Sequence, residues 1–157
     1  MAASTERSRV AGTADAEEVA ELLDRFQLEF DEQTPGAQVL AGRVRDHIGR
    51  DLSVFLLAGP PGVGVAQLRF REWLLTGEPI CYLEELYVVP DHRGQGHGRA
   101  LMESAMRLAR ERGATTIEVT TSATDTAARG LYERLGFTNL ERAGDPETQM
   151  LYYEREL

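Results

Sequence analysis

Gly94, Gly96 and Gly98 stand at alternate positions between a run rich in β-branched and aromatic residues, Glu84 to Val89, and an apolar helical repeat. Pro90 and Asp91 stop the run, so Leu83 to Leu101 reads as strand, loop, helix. In such a turn the free backbone N–H groups and the positive end of the helix dipole point at one spot, and missing side chains let an anion touch the backbone. The chemistry this suggests is phosphate binding, with Arg93 and Arg99 adding positive charge and His97 contributing its N–H. Groups able to move protons lie nearby or downstream: Glu84 and Glu85 on the strand and the phenol of Tyr132. The lone Cys81 reads as a small buried hydrophobe rather than an acyl-carrying nucleophile.

Two familiar phosphate loops do not fit. A dinucleotide fingerprint needs a third glycine where Arg99 stands and begins directly at the strand end, whereas Pro90 to Arg93 lengthens the turn. Glu118, at the distance of a ribose-binding acid, falls inside an expected strand. No Gly-Lys-Ser/Thr follows, which excludes the Walker pattern. Gly59 to Gly64 joins two strands and precedes no helix, so it reads as a plain turn.

The spacing of Val88, Pro90, Arg93, Gly96 and Gly98, continued by Arg99, Ala100 and Leu101, resembles the acetyl-CoA-binding signature of the GNAT superfamily of N-acetyltransferases. A second stretch, TDTAARGLYERLGF at positions 124 to 137, is similar to that family's later helix. Together the two cover about a third of the chain. The resemblance implies a mixed α/β fold: a central, mostly antiparallel sheet with a splayed parallel pair and helices on both faces. It implies acetyl-CoA as acetyl donor, bound by backbone along Leu86, Tyr87, Val88 and Val89 and by Arg93, Gly94, Gln95, Gly96, His97, Gly98 and Arg99, with an oxyanion donor among the N–H groups of Tyr87 to Val89. Tyr132 takes the place of the family's general acid. The base that frees the acceptor amine is one of the two strand acids or solvent; alternation lets only one of the acids face the acceptor, and the family's arrangement implies Glu84 in preference to Glu85. Asp125 departs from the family's usual Asn at a cofactor contact; it either caps the helix or leaves that contact to Thr124 and Thr126. The implied activity is direct transfer of acetyl to a primary amine of a small molecule or peptide. A CoA-binding module without turnover is the alternative, and a nicotinamide oxidoreductase a distant third.

A chain of 157 residues with 42% hydrophobic and 27% charged residues is expected to form one soluble domain spanning 1–157. A net charge of −9 argues against nucleic acid and suits a cationic acceptor, although excess acid also serves solubility. One cysteine leaves no disulfide framework and no cysteine-based metal site, and no metal is expected. No apolar run approaches a membrane span and MAASTERSRV shows no signal pattern, so a cytoplasmic protein without membrane partners is the expectation, with a homodimer admitted.

The elements that must position these residues follow in order. A strand is expected over Arg7 to Gly12, then a helix capped by Thr13 with Val19, Leu22, Leu23, Phe26 and Phe30 on its inner face. A second helix runs from Gln38 to Ile48, and an antiparallel hairpin covers Leu52 to Ala58 and Val63 to Phe70. Ile80 to Val89 leads into the glycine loop, and a helix from Gly98 to Arg112 returns to a parallel strand over Thr115 to Thr121. Asp125 to Leu135 is a helix, and Phe137 to Leu140 with Gln149 to Arg155 are expected to close the sheet. The first two helices and the Arg71 to Pro79 loop carry no motif and are left to set acceptor specificity.

Overall fold

In this computed structural model, which describes residues 7–142 and 144–156, the chain divides after Thr120 into two units. The first holds a sheet of five strands in spatial order β1-β2-β3-β4-β5: β1 Ser8–Val10, β2 Val54–Ala58, β3 Gly64–Glu72, β4 Pro79–Val88 and β5 Thr116–Val119. Its first four strands pair antiparallel and β5 joins β4 in parallel, the mixed sheet expected. Helices α1 (Ala16–Glu29) and α2 (Ala37–Gly49) lie between β1 and β2, and α3 (His97–Glu111) makes the crossover from β4 to β5. The second unit carries α4 (Thr126–Arg134).

Strand alternation sends successive side chains to opposite faces, and the helices divide accordingly. Tyr87, paired with Val65, stacks on Phe26 of α1 with ring centroids 5.1 Å apart. At the next pair, Gly64 and Val88, the side chain of Leu101 on α3 lies so close that a Cβ on Gly64 would sit 3.2 Å from it and 3.0 Å from the Tyr87 carbonyl. So α1 and α3 cover opposite faces. The core they enclose includes Val19, Leu56, Leu57, Val65, Leu68, Leu83, Leu101 and Met102, all below 2% exposure. β2 is buried at every position, which is why its sequence shows a continuous apolar run rather than alternation.

Several local expectations change. Thr13 does not cap α1; it opens a short 3-10 turn, and Asp15 accepts the Gly12 amide at 2.8 Å while pairing with Arg9 at 2.8 Å. Those bonds, Arg9 first, hold the Asp15 carboxyl down at about 2. Phe30 lies just beyond the end of α1 and is exposed, its ring meeting that of Phe26 edge to face at 5.4 Å. The closing strands are reduced, among the described residues, to one bridge between Leu140 and Gln149, with Asp145 to Thr148 folded instead as an Asp-capped 3-10 turn. No helix among the described residues is long and apolar enough to cross a membrane.

Candidate active site

β4 pairs with β3 in two registers. Gln67 faces Glu85 and the next residue, Leu68, faces Leu83, so Glu84 is an extra residue without a counterpart on β3. Such a bulge breaks alternation and twists the strand. Glu84 therefore reaches Arg69 at 3.3 Å, a residue on the same face of β3 as Gln67, the partner of Glu85. The expectation that only one of the two acids can serve that face is corrected: the bulge turns both to it.

Their surroundings differ. Glu84 is ion-paired at the rim of a cleft of about 380 Å³ lined also by Arg71, Tyr82 and Glu118. Glu85 is half-buried, and burial first, then the neighbouring Glu84 charge, raises its carboxyl above the usual range. Beside it, Gln67 Nε2 donates to Ser53 Oγ at 2.9 Å, and His47 Nδ1 of α2 meets the same hydroxyl at 2.9 Å. This polar row joins β3 to α2 at the foot of the acidic pair.

Past the bulge, β4 outruns β5. The last registered parallel pair is Leu83 with Val119, and β4 continues to Val88. The Val89 N–H turns to Val63 O at 2.9 Å on the β3 side, so by alternation the N–H groups of Leu86 and Val88 point to the edge that β5 has left. Unpaired strand amides facing a gap suit an extended amide-bearing ligand and a developing oxyanion.

The loop follows at once. Gly94 and Gly96 both have left-handed backbones, φ +72° and +87°, a conformation costly for other residues. Two of the three glycines are thus required by the turn's shape, while Gly98 lies in the first turn of α3. Ala100 is the first residue of α3 to bond within the helix, to Gly96 O at 3.0 Å, and leaves the N–H groups of His97, Gly98 and Arg99 directed out of the helix end. Here sequence reasoning missed a cation: Arg7 donates to Gln95 O at 3.3 Å and, with Gly59, Pro60, Gln95 and His97, lines a recess of about 400 Å³. No local pattern marks Arg7, since it meets the loop across 88 residues of sequence.

The two arginines expected to face phosphate are otherwise engaged. Arg93 donates from Nη2 to Glu29 at 2.6 Å and from Nε to Val88 O at 2.9 Å, and Arg99 donates to Glu103 one turn along at 2.7 Å. Both side chains remain well exposed. His97 and His92 meet edge to face, each with a buried Nδ1 that makes no hydrogen bond among the described residues.

In the second unit, Asp125 caps α4: its carboxylate accepts the Ala128 N–H at 3.0 Å. Tyr132 is buried, its ring 5.7 Å from that of Phe137, and burial first, then the Asp125 charge, pushes its phenol up to about 12. It is thus a neutral proton carrier at ordinary pH. Cys81 is fully buried in β4 and its thiol is pushed up to about 11 by burial, which removes it as a nucleophile. Among the described residues no three of His, Cys, Asp or Glu converge as metal ligands would.

The sequence profile of the Acetyltransferase (GNAT) family matches residues 17–137. An aminoglycoside N(6')-acetyltransferase type 1 of Stenotrophomonas maltophilia is 32% identical over 147 residues, 90% of this chain and 92% of that protein. One of the same description from Klebsiella aerogenes is 34% identical over 113 residues, 69% of this chain and 71% of that one. A crystal structure from Arthrobacter sp. FB24, provisionally assigned as an acetyltransferase, superposes with a TM-score of 0.89 at 43% identity, covering 100% of this chain and 99% of the other.

Proposed function

For a chain that belongs to the GNAT family of acetyltransferases, we propose transfer of acetyl from acetyl-CoA to a primary amine of a small molecule or peptide, directly and without an acyl-enzyme. The observation that carries this reading is the junction of β4 and α3. Strand amides of Leu86 and Val88 face an unpaired edge, and the outward N–H groups of His97, Gly98 and Arg99 follow within one turn of loop. The first set suits the pantetheine amides and the thioester oxygen; the second suits the diphosphate. We read the two units as one acetyltransferase domain over 1–157, a reading supported by a family match that runs across their boundary.

An ammonium cannot attack a thioester, so a base must first take its proton. Glu85 is the better candidate, because burial and the neighbouring Glu84 charge make it a stronger base than an ordinary carboxylate, while Glu84 is tied to Arg69 by an ion pair at 3.3 Å. Collapse of the tetrahedral intermediate then expels a thiolate, and Tyr132 supplies its proton. Asp125 serves as the cap of α4. The donor is a cytosolic metabolite, and we place the protein in the cytoplasm.

The acceptor class to test first is the aminoglycosides, on the strength of the two relatives so described and a net charge of −9 that attracts polycations. A panel of aminoglycosides, polyamines, amino acids and peptide N-termini, scored by release of free CoA, tests the proposal. Turnover of any amine supports it. Tight acetyl-CoA binding with no turnover on the panel favours a binding module, and binding of NAD in place of CoA sinks the family chemistry altogether.

A further inference from the structure

Glu29, the last residue of α1, lies far from every motif in the sequence, yet it receives two hydrogen bonds from the region of the glycine loop. Tyr87 donates its hydroxyl to Glu29 Oε2 at 2.8 Å, and Arg93 donates Nη2 to Oε1 at 2.6 Å. The Arg93 guanidinium also lies 5.7 Å above the Tyr87 ring, and its Nε reaches back five residues to Val88 O at 2.9 Å. The ring is held in turn by stacking on Phe26, one turn before Glu29 on α1. These contacts close a circuit from α1 to β4 to the loop and back to α1. Burial works against the Glu29 charge, but the bonds from Arg93 and Tyr87, together with the charges of Arg93 and Arg25, outweigh it and hold the carboxyl below its ordinary value.

A guanidinium whose fork is divided between a carboxylate and a strand carbonyl is fixed in orientation. We propose that Glu29 is a positioning residue: it holds Arg93 against the Val88 carbonyl, and so sets the turn between β4 and α3 in the shape whose N–H groups take the diphosphate. Arg93 then shapes the loop from behind instead of contacting phosphate. The inference rests on the acetyl-CoA reading above and adds to it a residue that the glycine signature does not contain.

The rival role for Arg93, a mobile cation that swings onto phosphate, predicts the opposite sign. Glu29 would then compete with the ligand for Arg93, and neutralising it would tighten binding. Acetyl-CoA is titrated calorimetrically into the folded parent and into Glu29→Gln, whose amide oxygen can still accept from Tyr87. A positioning role weakens binding about five- to tenfold, on the order of 1 kcal/mol, while kcat at saturating acetyl-CoA stays near the parent value. Arg93→Lys, which keeps the charge but loses the Nε bond to Val88 O, weakens it comparably, and the double variant is no weaker than Arg93→Lys alone. Binding by Glu29→Gln at or above parental strength overturns the inference, as does a double variant weakened by the product of the two single effects. If Glu29→Gln does not fold, Arg93→Lys decides: retained affinity overturns the positioning role. A folded parent that does not bind acetyl-CoA overturns the proposed function itself, and that result is distinct from a parent that binds beside an unaffected Glu29→Gln.

Discussion

The carboxylate of Glu84 sits 3.3 Å from Arg69 Nη1 because β4 holds one residue more than β3 at that point. The bulge that makes this pair also leaves Glu85 on the same face, half-buried opposite Gln67 and without a cation of its own among the described residues. The two neighbours thus have different surroundings: Glu84 is ion-paired with Arg69, and the Glu85 carboxyl is raised by burial and then by the Glu84 charge.

Glu85→Gln is expected to lower kcat/KM for the acceptor by roughly ten- to a hundredfold with little change in acetyl-CoA affinity, whereas Glu84→Gln has the smaller effect. The pH profile carries the same assignment. A base works only when ionised, and the Glu85 carboxyl is raised, so activity falls with acidification through a value above the ordinary carboxylate range. That limb flattens in Glu85→Gln. A full loss in Glu84→Gln with Glu85→Gln unaffected would return the role to Glu84.

Gly96 has a left-handed backbone, and a Cβ built there lies 3.1 Å from Arg7 Nη1. Gly96→Asp therefore strains the turn by ~1 kcal/mol or more and sets a negative charge beside the outward N–H groups of α3. The acetyl-CoA dissociation constant is expected to rise at least about tenfold, read by calorimetry on protein whose circular dichroism matches the parent. Unchanged affinity removes the loop from the binding site.

Tyr132→Phe keeps the ring against Phe137 and removes only the hydroxyl. A phenol near 12 is a weak donor to a thiolate near ~8.5, and full transfer is uphill by roughly 5 kcal/mol whenever it occurs, so the hydroxyl acts chiefly by hydrogen-bonding the sulfur as it gains charge, and any tyrosinate formed regains its proton from solvent. The expected fall in kcat is about ten- to a thousandfold, with acetyl-CoA binding nearly intact. A parental rate in single-turnover measurements would make Tyr132 a packing residue.

Asp125→Ala removes the acceptor for the Ala128 N–H and is expected to cost ~1 kcal/mol in denaturant unfolding, whereas Asp125→Asn keeps a capping oxygen and loses little. Both substitutions also remove a negative charge that raises the Tyr132 phenol, so the Tyr132 titration, followed by ultraviolet absorbance, moves down from about 12. A titration that stays in place would show that burial alone sets it.

Local chemistry is legible in the sequence itself. Gly94 and Gly96 announce a turn into a helix because only glycine accepts the left-handed backbone cheaply, and an Asp before an apolar repeat announces the cap at residue 125. Element types follow from the period-2 and period-3.6 patterns, since those periods record which face is buried, and short or crossover connections announce the β2–β3 hairpin and the parallel β4–β5 pair. The weakest expectation, closing strands near residues 137 and 149, lies where the apolar pattern is short and exposed, and one bridge is what remains of them.

Tertiary structure decided what the acids and cations do. A bulge is a mismatch between two strands, so neither strand's own sequence reveals that Glu84 is supernumerary. Likewise Arg93 reads as a phosphate ligand by its place in the loop, and only the fold brings Glu29 to it across 64 residues. Periodicity and turn preference are properties of neighbours along the chain, and a sequence displays them directly. Ion pairing, desolvation and register belong to groups that become neighbours only after collapse, and there the fold, not the motif, sets Glu84 beside a guanidinium and Glu85 in a drier place.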